Sequence, residues 1–426
     1  MNRTFQKLSR IAKAVLLSWM LFALTGCEDP EELEDMPAVL EATPIPQGTS
    51  AADPAQTVDI PQNPADPSEP EGSYVWFGAN AAIARREVKN GQIQSFLTGE
   101  WKDTAVALRR PMAVMLSNNK PSLPQYGLSY ASVIVEAPME SGSCTRLMAI
   151  IEDYDELDHL GPLRSSRLYF LLEAQSFDAI YCNWGLAVPY VAETINNERI
   201  DNISANVTGI ADPSDEAFAR DEGRKAAGYS TEYTGIMTIS GYEAAVRRQG
   251  YQSEYHDTFE QNFRFVQDGF QVSYENAPDV TQIYPGGTES SGSGKASGYG
   301  HTIPYFVYEE DGLYHRYQLG APHIDEKTGQ GLTVSNVICK LVDGFKLDDN
   351  GYLHLEVRGE GDAVVFTGGK AVKCTWKREP DTEGIPNINT HATYYYDEDG
   401  NEIVLNKGKT WICLIWRDYE TLLAYF

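Results

Sequence analysis

Residues 109–151 read RRPMAVMLSNNKPSLPQYGLSYASVIVEAPMESGSCTRLMAII. Three short apolar runs stand in this stretch: Met112–Leu116, Ser132–Glu136 and Leu147–Ile151. A fourth, Ala179–Cys182, follows soon after. Runs of this length, bounded by Asn, Pro, Gly and Ser, read as buried strands. Between the third and fourth lies Arg164–Ser176, RSSRLYFLLEAQS, with helical spacing. Leu168, Leu171, Leu172 and Ala174–Gln175 would form its inner face. Residues 186–200 and 241–249 are further helix candidates. Strands mixed with helices predict a layered α/β domain, assigned to residues 74–257.

Past Phe263 the pattern changes. The runs become alternating and aromatic-rich, as in YFVYEEDGLYHRYQL (305–319), LTVSNVICKLV (332–342), THATYYYDEDGNEIVL (390–405) and TWICLIW (410–416). Asp349-Asn350-Gly351, Gly368-Gly369 and Asp399-Gly400 supply turns. Residues 258–426 are therefore predicted to form a smaller all-β domain, a sandwich or barrel, giving an α+β or α/β chain overall. Gly286–Gly300, GGTESSGSGKASGYG, reads as a flexible loop.

The first 73 residues set location. Arg3, Lys7, Arg10 and Lys13 precede an apolar run from Ala14 to Leu24, too short to span a bilayer stably and suited to a signal peptide over residues 1–26. Leu24-Thr25-Gly26-Cys27 is a lipobox pattern, which makes Cys27 the acylated residue. Residues 28–73 hold nine prolines, twelve acidic residues and no Lys or Arg. Such a segment cannot bury enough apolar surface to fold. With Cys27 it is read as a lipidated tether, with a reach between about 40 Å as a coil and about 140 Å as polyproline II. The folded part is thus expected outside the cell, lipid-anchored to the outer face of the cytoplasmic membrane.

The net charge is −27, and losing residues 1–26 takes it to about −31. A chain this acidic repels phosphate backbones, so nucleic acid is excluded as a partner. It also repels anionic lipid, so the covalent lipid must do the anchoring. Five cysteines remain after Cys27, with no C-x-x-C spacing, and Cys182, Cys339 and Cys413 sit inside apolar runs as buried thiols. Cys144 has no His near it in sequence and is not read as a nucleophile. GSGKAS (292–297) lacks the spacing of a phosphate loop, and neither G-x-S-x-G nor H-E-x-x-H occurs. No metal or cofactor is expected.

In the second half, Tyr314-x-Arg316, Asp325, Asn336, Gly359-x-Gly361, Thr375-Trp376, Asp399-Gly400 and Gly408–Ile412 stand in a fixed order. With the 109–151 stretch, GPLRSSRLYF (161–170) and FDAIYCNWG (177–185), they resemble the YerB-like lipoproteins across roughly 85–416. That resemblance implies a two-part, Gram-positive envelope lipoprotein with domains of unknown function. It also implies a His near Asn183 and a Pro-His-Asn run after an Arg-Lys pair. Here Arg224-Lys225 is followed by AAGYSTEYT, without either. An activity that used those histidines would be lost in this chain.

The densest charged cluster is Glu136, Glu140, Arg146, Arg164 and Arg167, and all five match positions of the resembled family. Arg164 and Arg167 stand three apart at a helix start, hence on one face. Cations there oppose the helix dipole, so they need anionic company. They either pair with the glutamates or hold an anionic ligand. Two carboxylates also allow glycoside-type acid–base chemistry. In the second half, His323-x-Asp325 beside Tyr314-x-Arg316 is the counterpart cluster, or a plain β-surface pair. Trp376, Trp411 and Tyr394–Tyr396 are core aromatics or a sugar- or peptide-binding platform. The leading functional expectation is a non-catalytic binding or scaffold protein for a cell-wall component or envelope protein. The alternative is a cell-wall-active enzyme using Glu136, Glu140, Arg164 and Arg167.

Overall fold

A computed structural model describes residues 74–75, 86–196, 200–256, 259–290, 292–379 and 391–426. The signal segment 1–26, Cys27 and the tether to residue 73 lie outside the described residues. Among those described, no helix is long and apolar enough to cross a membrane.

The fold is mixed α/β with more strands than helices, built on one ten-stranded sheet. Its strands are β1 (Met112–Ser117), β2 (Val133–Pro138), β3 (Thr145–Ile151), β4 (Ile180–Asn183), β5 (Asn202–Ser204), β6 (Asn336–Val342), β7 (Gly359–Thr367), β8 (Lys370–Arg378), β9 (Tyr394–Tyr396) and β10 (Thr410–Trp416). They lie in the order β5-β4-β1-β3-β2-β10-β6-β7-β8-β9. β10 runs parallel to both β2 and β6, with Ile412 against Val135 on one side and Ile338 on the other.

This corrects the expectation of a separate all-β sandwich or barrel. The sheet crosses the expected boundary at 257/258. The physical reason lies in β6 and β10, where every residue is buried. A sandwich strand keeps one wet face and alternates, whereas a strand buried on both faces reads as a continuous apolar run and needs a layer on each side. β10 finds its second neighbour in β2.

The two faces are covered differently. On one, α1 (Leu168–Ser176) and α2 (Val188–Ile195) pack Tyr169, Phe170, Leu171, Val191 and Ile195 onto Ala113, Val135, Ile338 and Ile412. On the other lie α3 (Ile239–Gln249) and a six-stranded sheet that includes Gln282–Tyr284, Tyr305–Tyr308 and Tyr314–Gln318. There Tyr242, Ile283, Phe306 and Tyr314 meet Val114, Ile134, Val337 and Trp411. Trp376 and Trp411 are both buried, so they are core rather than a sugar- or peptide-binding platform.

Residues 286–300 are not a loose loop throughout. Gly292–Ala296 forms a helical turn, and the buried Tyr299 hydroxyl lies 3.0 Å from Glu136 O and 2.9 Å from Leu414 O. A Cβ on Gly142 would sit 1.5 Å from Ala296 O, so only glycine lets these backbones touch.

Candidate functional site

Arg146, Arg164, Arg167 and Glu140 come together beyond the carboxyl ends of β1 and β4, on the α1 side of the sheet. Crevices of open α/β sheets characteristically lie at that edge. Arg146 is the second residue of β3, in register with Ser117 of β1 and Ala137 of β2. Arg164 and Arg167 occupy the loop before α1. That loop is pinned at both ends of its span: Arg164 N donates to Met115 O at 2.9 Å and Ser166 N to Gly185 O at 2.8 Å. Gly185 has φ +100°, and a Cβ there would sit 2.4 Å from Ser165 Oγ.

The helix was expected from Arg164. It begins at Leu168 instead, with Arg167 extended at φ −133°. The two arginines therefore share a clamped loop rather than a helix face. Arg167 stands at the N-cap, where its side chain can accept nothing, and the helix has no side-chain cap.

Arg167 pairs with Glu140 through Nη2, donates to Ser166 O at 2.7 Å, and covers the Tyr352 ring at 5.1 Å. Its buried Nε has no partner among the described residues. Arg164 pairs with Glu232 at 3.0 Å, donates to Ser117 Oγ at 3.2 Å, and lies 4.6 Å from the Tyr233 ring. Arg146 donates one hydrogen bond, to Ser165 O at 2.6 Å, and has no carboxylate within ion-pair distance among the described residues.

The electrostatics follow from this count. Burial, and then the guanidinium groups of Arg167 and Arg164, push Arg146 down to about 9, with Glu140 pulling the other way. It stays charged at neutral pH, at a cost. Burial would raise Glu140, but Arg167 and Arg146 outweigh it and hold the carboxyl below the ordinary glutamate range. The cluster therefore carries an unbalanced positive charge in a chain of net charge −27.

Glu136 is not part of this cluster. It lies between Val135 and Ala137 in β2, in phase with Ile134 on the opposite face of the sheet. One carboxylate oxygen accepts from Asn118 Nδ2 (3.1 Å) and Thr145 Oγ1 (2.7 Å), the other from Arg316 Nη2 (2.7 Å) and Trp411 Nε1 (3.1 Å). The expected Glu136–Arg164 proximity is thus absent.

The second-half residues divide similarly. Arg316 joins Glu136. His323 is buried, its Nε2 2.7 Å from Gln125 Oε1, and burial and then Arg316 drive its pKa well below the ordinary histidine value. Asp325 accepts from Ser129 N (2.8 Å) and, within its own turn, from Lys327 N (2.8 Å) and Thr328 N (3.1 Å). The Tyr314 hydroxyl accepts from Gly369 N at 3.1 Å. The contacts of Arg316, His323 and Asp325 with Glu136, Gln125 and Ser129 tie the two halves together, whereas that of Tyr314 lies within the second half.

Sequence reasoning missed Glu232, Ser165, Trp184 and Arg220. Arg220 stacks on the Trp184 ring at 4.2 Å and donates to Thr231 O at 2.5 Å. Trp184 N in turn donates to Arg164 O at 3.1 Å. Nothing local in sequence links these positions. Asn183, where the resemblance implies a histidine, is buried and bonded to Gly185 O (2.7 Å) and Ser204 Oγ (2.8 Å). Arg224 is a tie between loops, donating to Ser122 O at 3.1 Å and pairing with Glu326 at 2.5 Å.

A cavity of about 820 Å³ lies elsewhere, lined by Tyr274, Glu275, Lys373, Asp397, Glu398 and Asp399 among others. Asp397 is already used by its own turn, accepting from Asn401 N at 2.8 Å. No group of His, Cys, Asp and Glu among the described residues is arranged to hold a metal ion.

Two family models match the chain. The N-terminal domain of a protein family of unknown function, DUF3048, covers residues 97–252, and its C-terminal domain covers residues 296–412. A protein of Bacillus subtilis (strain 168) named "Putative lipoprotein YerB" is 24% identical over 324 residues, spanning 76% of this chain and 86% of that one. The crystal structure of the YerB protein from Bacillus subtilis aligns with a TM-score of 0.61 at 21% identity, covering 78% of this chain and 99% of that one. At that identity the likeness is one of fold.

Proposed function

Since this chain belongs to the two-part, YerB-like DUF3048 family, we propose that it is a lipid-anchored envelope protein that binds an anionic ligand in the Arg146–Arg164–Arg167 cleft. Acylated Cys27 and the acidic tether would hold the folded part outside the membrane, within reach of a cell-wall polymer or an envelope protein. The observation that carries the reading is Arg146: a half-buried guanidinium group opposed by the charges of Arg167 and Arg164, with no carboxylate within ion-pair distance among the described residues. A partly desolvated charge without a partner is costly, so the arrangement makes sense if a ligand supplies the missing negative charge.

The enzymatic alternative loses its pair of carboxylates. Glu136 is sealed from water and saturated by four donors, and it lies across the sheet from Glu140. Titration calorimetry of the full-length chain with inorganic phosphate at about pH 6, where it carries mainly one negative charge, tests the proposal. Wild type should bind, and Arg146→Gln should bind at least tenfold more weakly. Equal binding by the two proteins would defeat it.

A further inference from the structure

We infer that the group this cleft is built to hold is a phosphodiester, a tetrahedral oxyanion with one negative charge; the inference rests on reading the cleft as an anion site. Charge balance comes first. Three guanidinium groups meet two carboxylates, Glu140 on Arg167 and Glu232 on Arg164. Arg146 is left over. One negative charge closes the balance. The second charge of a phosphomonoester would exceed that balance and lie near the Glu140 and Glu232 carboxylates with no further guanidinium group to offset it.

Donor direction comes second. Among the described residues, Arg146 Nε and Nη2 and Arg164 Nη2 have no hydrogen-bond partner and are not sealed from solvent. These donors start from a strand and from the loop before α1. A carboxylate is planar and is satisfied by the fork of one arginine. A tetrahedral group offers oxygens out of any single plane and suits donors carried by two different elements. The uncapped N-terminus of the nine-residue α1 adds positive potential at the same place.

A diester is bonded to carbon on both sides, so it is an internal link: a phosphodiester-linked polymer or a phospholipid headgroup would present it. The net acidic surface opposes long polyanions beyond the cleft itself. At physiological salt the Debye length is about 8 Å, so a short stretch of diester escapes most of that repulsion.

The test is titration of the full-length chain in nonionic detergent with three small probes: glycerophosphoglycerol, glycerol 3-phosphate and lactate. Glycerophosphoglycerol should bind at least tenfold more tightly than the other two. Arg146→Gln should remove that preference, while Lys377→Gln, on a distant exposed side chain, should not. Tighter binding of the monoester or the carboxylate would overturn the diester assignment and leave the anion site standing. Binding of none would overturn both. Phosphatidylglycerol vesicles and an oligomer of polyglycerol phosphate then compete against the small diester, and the stronger competitor identifies the source. A single-stranded oligonucleotide that outcompeted both would overturn the assignment to an envelope diester.

Discussion

Glu136 and Arg316 stand 180 residues apart in sequence, and their side chains meet at 2.7 Å in the interior. Both are essentially inaccessible to water, at 0% and 1% exposure. Arg316 lies against the rings of both Phe306 (4.7 Å) and Trp411 (4.5 Å), which also meet each other edge-to-face. The pair joins a strand of the first half to the smaller sheet of the second, at the place where β2 and β10 make the large sheet continuous.

Arg316→Ala should therefore cost about 3–5 kcal/mol, because it strands a buried carboxylate rather than merely deleting a contact. Urea denaturation should show one transition for wild type, with both halves unfolding together, since they share a sheet. A loss under about 1 kcal/mol would mean that water reaches Glu136.

Lys340 and Glu173 form a second buried pair. Lys340 Nζ lies 2.7 Å from Glu173 Oε1 and 3.0 Å from Val357 O, and 4.2 Å from the Trp376 ring. Lys340→Met alone should cost about 3–5 kcal/mol by leaving Glu173 unpaired, whereas Lys340→Met with Glu173→Leu should return to within about 1 kcal/mol of wild type. A double variant as unstable as the single one would show that the pair is more than mutual compensation.

The sequence made the first half legible because β1, β2 and β3 are continuous apolar runs, and such runs become strands buried on both faces. The same logic applies to Asn336–Val342 and Thr410–Trp416, whose missing alternation was a sign that they could not face water. Their partners were not legible, since pairing of β10 with β2 is decided by contacts nearly 300 residues apart. For the cleft, the loop arginines were visible from their proximity to a helix start. Glu136 was misplaced, although parity could have excluded it: Glu136 and Ala137 are neighbours on one strand, and Arg146 pairs in register with Ala137.

His323 gives a pH dependence with a definite sign. Burial, then Arg316, lowers its folded pKa well below the ordinary value, so between the two values the unfolded chain binds the extra proton. Stability should fall as pH drops below about 6.5, with a slope approaching about 1.4 kcal/mol per unit. His323→Gln, which keeps a group able to face Gln125, should flatten this limb. An unchanged slope between pH 6.5 and 5 would remove His323 as its source.

Cys27 is the cysteine preceded by a lipobox. Cys27→Ser should abolish metabolic labelling with a fatty acid and move the protein out of the membrane fraction or leave it misprocessed. A variant that still sediments with membranes as strongly as wild type would show that something other than this lipid anchors it.

Arg146 separates a structural reading of the cleft from a binding one. A structural arginine is held by a carboxylate, and removing it destabilises the fold. Arg146 instead has its charge opposed by those of Arg167 and Arg164, with Glu140 offsetting them only in part and not within ion-pair distance, so its charge is a burden in the free protein. Arg146→Gln should leave urea stability unchanged or raise it. Arg164→Ala, which breaks a part-exposed pair with Glu232, should cost under about 1 kcal/mol. Adding a ligand at one hundred times its Kd should stabilise wild type by about 2.7 kcal/mol, and the Arg146 variant by far less. The decisive pattern is the combination: a variant as stable as wild type without ligand and less stabilised with it. If Arg146→Gln instead unfolds readily in the absence of any anion, the guanidinium group is holding Ser165 and the loop before α1 in place, and the cleft is part of the scaffold.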